Sequence, residues 1–322
     1  MKAVVQTRYG SPEVLRVQDV ARPTPKDDEL LIHVRAASLT PSDNAFRQGN
    51  PFIIRLMYGL RRPRLAIGGV EFAGDVVEVG SGVTDFQPGD AVMGMSTDRF
   101  GAHGEYLCLP ASKLMIRKPE TMSYADAVSL VDGPCTALSF LRDVAKVQPG
   151  QTVLVYGASG AVGTAAVQLA KYYGATVTGV CSTRNVALVK SLGADSVIDY
   201  SREDFTKTGQ MWDVVFDAVG KRSYHQCRRA LTPHGVYMTT VPGIGIVLAI
   251  LGTALGSGRK AKFTTAGLKQ TRENLSFLAE LFEAGQLRPV IDRQYPLEAV
   301  PEAHRYVETG HKTGTVIIQV AG

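Results

Sequence analysis

Residues 152 to 180 read TVLVYGASGAVGTAAVQLAKYYGATVTGV. The apolar run Thr152 to Tyr156 predicts a strand, and Ala161 to Tyr173 has the apolar spacing of a helix that Gly174 would stop. A second apolar run, Thr176 to Cys181, predicts the next strand. A strand, a glycine turn, a helix and a strand in this order predict a βαβ unit and therefore a parallel sheet.

The turn between the first strand and the helix has the glycine spacing of a dinucleotide-binding turn. Its glycines let the chain turn sharply, let the backbone approach a pyrophosphate and let the helix pack closely on the sheet. The free N–H groups at the start of the helix favour phosphate. Ala158 stands where the strict fingerprint has its first glycine, so the turn is a variant. We expect cofactor contacts from Gly157, Ala158, Ser159, Gly160, Ala161, Val162 and Gly163. The alternative is a glycine turn that binds nothing.

The end of the second strand predicts which dinucleotide binds. About 20 residues beyond the last glycine, an acidic residue would accept hydrogen bonds from the ribose of NAD. This sequence has no carboxylate there, whereas Ser182, Thr183 and Arg184 could hold a 2′-phosphate through charge-assisted hydrogen bonds. We therefore expect NADPH. The alternative for Arg184 is a solvated side chain near the start of a helix.

The rest of the chain divides into two kinds of sequence. The first 120 or so residues contain short β-branched runs between Pro and Gly turns. Tyr124 to Val144 then predicts one helix, strands and helices alternate to about Thr240, and Thr315 to Val320 returns to β character. We predict an α/β protein with a mostly β domain at 1–122 and 271–322 and a doubly wound nucleotide-binding domain at 123–270.

Composition narrows the class of protein. The 322 residues, 45% hydrophobic and 20% charged, suffice for about two domains. The net charge of +5 is scattered, which weakly favours an anionic ligand and does not predict nucleic-acid binding. The four cysteines form no CxxC, and MKAVVQTRYG lacks the apolar core of a signal peptide. We expect reduced thiols and a cytoplasmic protein.

Two segments stand apart from this pattern. Val241 to Gly256 is uncharged but shorter than a membrane-spanning helix. We interpret it as buried or pocket-lining, with surface or partner contact as the alternative. Arg55 to Arg64 carries four arginines around Met57 and Tyr58, and its simplest interpretation is a solvated loop. The alternative is contact with an anion or a lipid surface.

Several motifs resemble the medium-chain dehydrogenase/reductase superfamily. GGVEFAG at 68–74 and VGSGV at 79–83 resemble its signature region. The GASGAVG turn, SLGAD at 191–195 and GHKTGTV at 310–316 resemble its zeta-crystallin-like quinone-oxidoreductase branch. In the last motif this chain has Thr315 where that branch commonly has a lysine. This resemblance, over nearly the whole chain, implies a GroES-like catalytic domain, a Rossmann domain, an active site in the cleft and a homodimer formed through the nucleotide domain.

The resemblance also suggests site residues. Thr40-Pro41-Ser42-Asp43 is similar to the branch's Asn-Pro-x-Asp loop, so Thr40 would lie near the nicotinamide as a hydrogen-bond donor. Tyr58 is a second candidate for polarising the substrate, with a packing role as the alternative. The further cofactor contacts implied are Thr136 beside the cofactor, Tyr200 near the adenosine ribose, and Asp217, Ala218 and Val219 along the dinucleotide.

No metal is expected. The zinc-binding members of the superfamily use a Cys and a His where this chain has Thr40 and Val70, and Glu71 alone does not hold zinc. Hydride delivery to a quinone or an α,β-unsaturated carbonyl then needs hydrogen-bond donors for the developing oxyanion. The alternatives are a zinc-type alcohol dehydrogenase relative that acts on simple carbonyls, and a non-catalytic NADPH-binding sensor or nucleic-acid-binding protein. A third hypothesis is peripheral membrane contact through Val241 to Gly256 and Arg55 to Arg64.

Overall fold

The computed structural model describes residues 1–264 and 270–321, which divide into two units. The first unit is Met1–Asp132, Thr271–Ala279 and Ile291–Gly322, and the second is Gly133–Gln270 and Glu280–Val290. This division differs from the predicted boundaries at two segments. Residues 123–132 belong to the first unit because their helix packs on its central strands. Residues 280–290 belong to the second unit, where Arg288 and Gln168 exchange hydrogen bonds.

The described residues form 15 strands and ten α-helices. The strands are β1 Lys2–Gln6, β2 Leu15–Asp19, β3 Glu29–Leu39, β4 Glu71–Val79, β5 Ala91–Met95, β6 Tyr106–Pro110, β7 Met115–Arg117, β8 Thr152–Tyr156, β9 Thr176–Cys181, β10 Ser196–Asp199, β11 Trp212–Asp217, β12 Leu231–Thr239, β13 Lys260–Lys262, β14 Ile291–Pro296 and β15 Thr315–Gln319. The helices are α1 Pro41–Gln48, α2 Ile53–Tyr58, α3 Tyr124–Ser129, α4 Asp132–Leu138, α5 Ala161–Tyr172, α6 Val186–Ser191, α7 Tyr224–Cys227, α8 Ile244–Ala254, α9 Arg272–Glu283 and α10 Val300–Glu308.

The first unit is built on one antiparallel-rich sheet. Its strand order is β14-β15-β3-β4-β5-β7, and β6 also pairs with β3. The long strand β3 is central, and Leu30, Ile32 and Val34 point from it into a continuous apolar core. Burying each such side chain contributes about 1.5 to 3 kcal/mol. The mostly β character predicted for the chain ends is confirmed.

The second unit is a doubly wound parallel sheet of order β10-β9-β8-β11-β12-β13. The order reverses between β8 and β11, and ligands bind outside the carboxyl ends of strands at such a switch point. The central residues of β8 and β11 are fully buried, which explains why both strands read as continuous apolar runs. The fold therefore places the variant glycine turn, which follows β8, at the switch point.

The helices test the sequence interpretation in two ways. The predicted helix after the glycine turn is confirmed as α5, which ends at Tyr172. The single helix predicted for 124–144 is wrong. The chain forms α3, restarts as α4 and continues as a π-helical segment, Ser139–Ala145. Pro134 explains the restart, because it has no N–H to donate and is tolerated only in a first helical turn.

Helix α8 corrects a second interpretation. Val241 to Gly256 was expected to be buried or pocket-lining, but the helix formed there has Ile246 as its one fully buried residue. Ile244 is 81% exposed and Leu251 is 67% exposed. The helix packs on β13 and α7 along one side, and no described residue covers the other. None of the helices among residues 1–264 and 270–321 is long and apolar enough to cross a membrane.

Candidate functional site

The glycine turn of the second unit is built by close backbone approach. Gly157 adopts φ +80°, and its N–H and that of Ala158 both donate to the carbonyl of Val180 at 3.0 Å. A Cβ atom on Gly163 would lie 2.0 Å from the carbonyl oxygen of Gly157, closer than real Cβ contacts allow. Helix α5 can therefore begin this near to β8 only because position 163 has no side chain.

The start of α5 fits a phosphate group. Gly160 is the N-cap, and no side chain among the described residues caps this helix end. A Cβ on Gly160 would meet only Gly157, at 3.6 Å, so there is space above the turn. The first N–H groups of the helix, from Ala161 and Val162 onward, have no earlier turn to bond to, and they favour an anion. These features suit the pyrophosphate of a dinucleotide.

The three residues predicted to hold a 2′-phosphate follow β9 directly. Thr183 and Arg184 lie on a short 3-10 turn, are exposed, and come immediately after the partly buried Ser182. The side-chain amide of Asn185 donates to Ser159 at 2.9 Å and so ties this segment to the glycine turn. Asn185 was missed because nothing in its sequence position indicates a contact 26 residues away.

A carboxylate lies closer to this segment than the sequence suggested. The hydroxyl of Thr183 donates to Asp199, at the end of β10, at 2.5 Å. Hydrogen bonds from Thr183 and Ser201 lower the pKa of Asp199, so it is charged at neutral pH. The residues directly after β9 contain no carboxylate, because Asp199 belongs to the next strand along the chain, β10. The ends of β9 and β10 are neighbours in the sheet.

Aromatic residues border the same edge of the sheet. Tyr200 is exposed, and its ring centroid lies 6.4 Å from that of Tyr156, the last residue of β8. The guanidinium of Arg222 lies 5.5 Å from the Tyr156 ring centroid and 3.5 Å from Asp204. The structure thus brings Tyr200 to the carboxyl end of β8, as the predicted role near the ribose requires. Arg222, a cation at this edge, was missed.

The loop after β11 is organised by Asp217. This carboxylate is fully buried and accepts the N–H groups of Val219, Gly220 and Arg222 at 3.1, 2.8 and 2.7 Å. Burial raises its pKa against the lowering effect of these bonds. Asp217 therefore shapes the loop, and Val219 is the residue that reaches the turn: a Cβ on Gly157 would lie 2.6 Å from Val219. Ala218 follows in register, donating its N–H to Tyr156 at 3.0 Å.

Thr136 lies on α4, and the close approach of α4 to the start of α5 brings it near the glycine turn. A Cβ on Gly133, at the start of α4, would lie 3.0 Å from the backbone of Ala161. Thr136 is buried one turn further along the same helix. The glycine turn, the segment after β9, the loop after β11 and α4 therefore all meet around the switch point of the second unit.

In the first unit, Thr40 is the N-cap of α1. Its hydroxyl donates to Asp43 at 2.8 Å and accepts the N–H of Asp43, while Asp43 also accepts the N–H of Thr40 at 2.8 Å. This capping box fixes the loop. It also engages the hydroxyl proton, so Thr40 can donate to a substrate only by giving up its bond to Asp43.

Tyr58 combines the two roles predicted for it, because its ring packs against other side chains while its hydroxyl is left to donate. Its ring packs against both Phe46 and Phe100, with centroid distances of 5.1 and 5.2 Å, and those two rings also contact each other at 4.7 Å. Its hydroxyl has no hydrogen-bond partner among the described residues, and burial raises its pKa, so it keeps its proton. Tyr58 and Asp43 line one cavity of about 40 Å³. That volume holds only a few waters.

Glu71 lies in a buried polar centre that the sequence did not reveal. Burial, together with Asp132 and Asp43, raises its pKa well above the usual value, and Ser38 donates a hydrogen bond to it. Burial lowers the pKa of the nearby Lys312 to about 8, although Glu71 acts in the opposite direction. Burial therefore favours the uncharged form of Glu71, and the neighbouring Lys312 opposes this shift. Nowhere in the described chain do three or more His, Cys, Asp or Glu side chains group as a metal site.

A second buried network lies beneath α1. Arg47 is 1% exposed, and its guanidinium donates to His304 at 3.4 Å and to Glu308 and the carbonyl of Gly10. His304 also bonds to Asn44. Burial, followed by the charges of His103 and Arg47, lowers the pKa of His304 to about 2, so this histidine is neutral. These residues were missed because they are about 260 positions apart in sequence.

Comparisons with known proteins agree with this geometry. Residues 26–120 match the family model "Alcohol dehydrogenase GroES-like domain", and residues 192–318 match "Zinc-binding dehydrogenase". The chain is 35% identical to 2-methylene-furan-3-one reductase of Solanum lycopersicum and 33% identical to an NADPH-dependent alkenal/one oxidoreductase of Arabidopsis thaliana. Each alignment covers 99% of this chain and 79% of the relative.

A solved structure matches over the whole chain. The quinone oxidoreductase from Coxiella burnetii superposes with a TM-score of 0.90 at 33% sequence identity, covering 100% of this chain and 99% of that one. The GroES-like and Rossmann architecture expected from the sequence is therefore confirmed.

Proposed function

This chain belongs to the quinone-oxidoreductase branch of the medium-chain dehydrogenase/reductase family, and on that premise we propose that it uses NADPH to reduce quinones or α,β-unsaturated carbonyl compounds. The observation that carries the proposal is the glycine turn at the switch point, where Gly163 permits close approach and the start of α5 is left for phosphate. The names of the relatives describe reduction of alkenals, enones and quinones, which supports this substrate class.

The second unit binds the cofactor. The N–H groups at the start of α5 hold the pyrophosphate, and Ser182 and Arg184 hold the 2′-phosphate. Asn185 keeps these two segments together through Ser159. When bound, NADPH supplies a hydride to the electron-poor carbon of the substrate.

The first unit stabilises the negative charge that develops on the substrate oxygen. Tyr58 carries a protonated hydroxyl without a partner in the described chain, and Thr40 is a second donor once Asp43 releases it. Such donors stabilise an oxyanion most strongly where water is excluded. We propose that no metal takes part, since Thr40 and Val70 stand at the positions of zinc ligands and burial disfavours the charged form of Glu71 that a metal would bind.

The proposal extends to assembly and location. We propose a homodimer formed through the nucleotide-binding unit, in which β13 is the last strand of the sheet that the described residues form. A reducing compartment, the cytoplasm, suits four cysteines that are all free thiols.

The test is NADPH oxidation followed by absorbance, with the metal content of the purified protein measured in parallel. The acceptors are ortho- and para-quinones, α,β-unsaturated ketones and, as a control, simple saturated ketones. We expect turnover with the first two classes, at least about tenfold faster with NADPH than with NADH because of the 2′-phosphate contacts. Tight NADPH binding without turnover of any acceptor would instead identify a binding protein. Zinc-dependent turnover of saturated ketones would identify an alcohol dehydrogenase.

A further inference from the structure

One buried phenylalanine of the first unit has a backbone conformation that its side chain disfavours. Phe100 lies in the loop between β5 and β6 and adopts φ +57°, in the left-handed region that bulky residues rarely occupy. Among the described residues, Lys146 is the other non-glycine residue with a positive φ, and it caps the end of a helical segment, where this conformation is common. No helix ends at Phe100. Its conformation therefore needs a different explanation.

Hydrogen bonds on both sides of Phe100 hold the loop in this conformation. Phe100 donates its N–H to the carbonyl of Ser96 at 3.1 Å, and the hydroxyl of Ser96 donates to the carbonyl of Phe100 at 2.9 Å. The N–H groups of Gly101 and His103 both donate to the carbonyl of Gly68, at 3.1 and 3.0 Å. Strained residues persist only where their surroundings fix them, and they cluster at active sites. The contacts of the Phe100 ring therefore show what the strained conformation serves.

The ring of Phe100 lies against Tyr58, the residue proposed to donate to the substrate oxygen. The two rings stack with their centroids 5.2 Å apart and their planes 29° apart. Phe46, on α1, completes the group, with its centroid 4.7 Å from that of Phe100 and 5.1 Å from that of Tyr58. These distances lie in the range of favourable aromatic pairs. Phe100 is 6% exposed, so its ring has little freedom to move.

Helix α2, which carries Tyr58, is not anchored in the apolar core. It has six residues, and none of them is buried. Arg55 ties the helix to the end of α1 by donating to the carbonyl of Gly49 at 3.1 Å, and the N–H of Arg64 donates to the carbonyl of Tyr58 at 2.7 Å. These contacts hold the backbone of α2. The direction of the Tyr58 side chain is left to the two phenylalanine rings that pack against it.

We propose that Phe100 is a positioning residue: its left-handed backbone directs its ring against Tyr58, and the stacked rings hold the Tyr58 hydroxyl where it donates to the substrate oxygen. This role rests on the proposed function, in which Tyr58 is that donor. Without the ring of Phe100, Tyr58 can turn toward the cavity of about 40 Å³ that the three rings border. A misdirected hydroxyl stabilises the transition state less, whereas substrate binding changes little.

The experiment measures kcat and KM for NADPH-dependent reduction of an α,β-unsaturated ketone by single and double variants. Tyr58→Phe removes the donor and should lower kcat about a hundredfold. Phe100→Leu keeps apolar bulk without the ring and should lower kcat about tenfold, with KM within about twofold of the parent's. The double variant should be no slower than Tyr58→Phe, because Phe100 acts only through the hydroxyl that is already absent.

The matched control is Phe86→Leu. Phe86 is 7% exposed in the core of the same unit, and its ring faces the guanidinium groups of Arg117 and Arg272. This variant loses a ring that is buried as deeply as that of Phe100 and should keep the kcat of the parent. Circular dichroism should show that the variants are folded. Phe100→Met, with a flexible side chain in place of the ring, replaces Phe100→Leu if the latter does not fold, and the same loss of kcat is expected.

The possible outcomes separate the positioning role from the proposed function. A kcat in Phe100→Leu equal to that of the parent would overturn the positioning role alone, as would a double variant about tenfold slower than Tyr58→Phe. An equal loss of kcat in Phe86→Leu would also overturn it, because any buried ring would then have the same effect. Unchanged kcat in Tyr58→Phe, or a parent protein without turnover, would overturn the donor role of Tyr58 and the positioning role with it.

Discussion

The glycine turn of the second unit and the polar centre of the first are both close-packed, but different parts of the chain build them. The turn is made by backbone within a few residues, and its critical feature is an absent side chain at Gly163. The polar centre is made by side chains: Glu71 from β4, Ser38 from β3 and Lys312 from near the chain end.

The difference shows which kind of site a sequence reveals. A site formed by backbone groups needs glycines at fixed spacing, so it can be predicted from a short stretch of sequence. A side-chain site needs residues that the fold brings together from distant positions, and their spacing carries no signal. Substitutions should therefore act sterically in the second unit and through unpaired polar groups in the first.

The largest expected effect is in the first unit. Arg47→Met should lower the free energy of unfolding by about 4 kcal/mol, because the buried His304 and the carbonyl of Gly10 lose their donor. Urea unfolding followed by circular dichroism measures this. Arg305→Met, which breaks the exposed pair with Glu13, should cost less than about 1 kcal/mol. Equal losses in the two variants would mean that the network beneath α1 is not tightly packed.

The next effect is steric and belongs to the glycine turn. Gly163→Ala should cost about 3 kcal/mol and weaken NADPH binding about a hundredfold, because α5 must move away from Gly157. Fluorescence of Trp212, the single tryptophan, reports unfolding of the second unit. In Gly160→Ala the unliganded protein should lose less than about 1 kcal/mol, since the nearest atom is 3.6 Å away. Unaltered stability of Gly163→Ala would contradict the close approach.

A third substitution tests the cofactor contacts. Arg184→Ala should raise the Kd for NADPH about thirtyfold and leave that for NADH within about twofold, since a guanidinium–phosphate bond contributes about 2 kcal/mol. Titration calorimetry with both cofactors measures this. Arg228→Ala removes a charge that is likewise exposed but lies just before β12, at the amino edge of the sheet, and should change neither constant. Parallel weakening of both cofactors would place Arg184 elsewhere in the site.

Acid should destabilise the first unit through His304. This histidine is neutral when folded, with its pKa lowered to about 2 by burial, whereas it gains a proton near pH 6.5 when unfolded. The unfolded state binds more protons below pH 6.5, so stability falls as pH falls, by at most about 1.4 kcal/mol per pH unit. His304→Gln should flatten the urea-measured slope between pH 6.5 and 5, and the exposed His225→Gln should leave it unchanged. A slope equal to the parent's in His304→Gln would exclude this source.

The smallest expected effect concerns Asp199, a carboxylate near the 2′-phosphate site that the sequence did not predict. Asp199→Asn should tighten NADPH binding about threefold, because a negative charge beside the 2′-phosphate site is removed. The same calorimetric titration measures it. The control is Asp195→Asn, because Asp195 lies just before β10, at the opposite end of that strand from Asp199, and pairs with Lys171. Weaker binding in Asp199→Asn would show that the carboxylate positions Thr183 more than it repels phosphate.

Part of the candidate site could be predicted and part could not. The glycine turn and Ser182 to Arg184 follow from positions relative to β8 and β9, whereas Tyr200 follows from the resemblance to the family. The structure brings all of them to the switch point. The sequence did not predict the roles of Asn185, Arg222 and Asp199, because these roles depend on which strand ends are neighbours in the sheet.

The sequence by itself determined the parallel sheet, its glycine turn and the β character of the chain ends. Apolar periodicity and glycine spacing are local properties of the chain that each element expresses wherever it lies. Tertiary structure alone decided that α8 shows an apolar face to solvent and that burial raises the pKa of Glu71. Exposure and pKa are set by whatever packs against a residue, and those neighbours come from elsewhere in the chain.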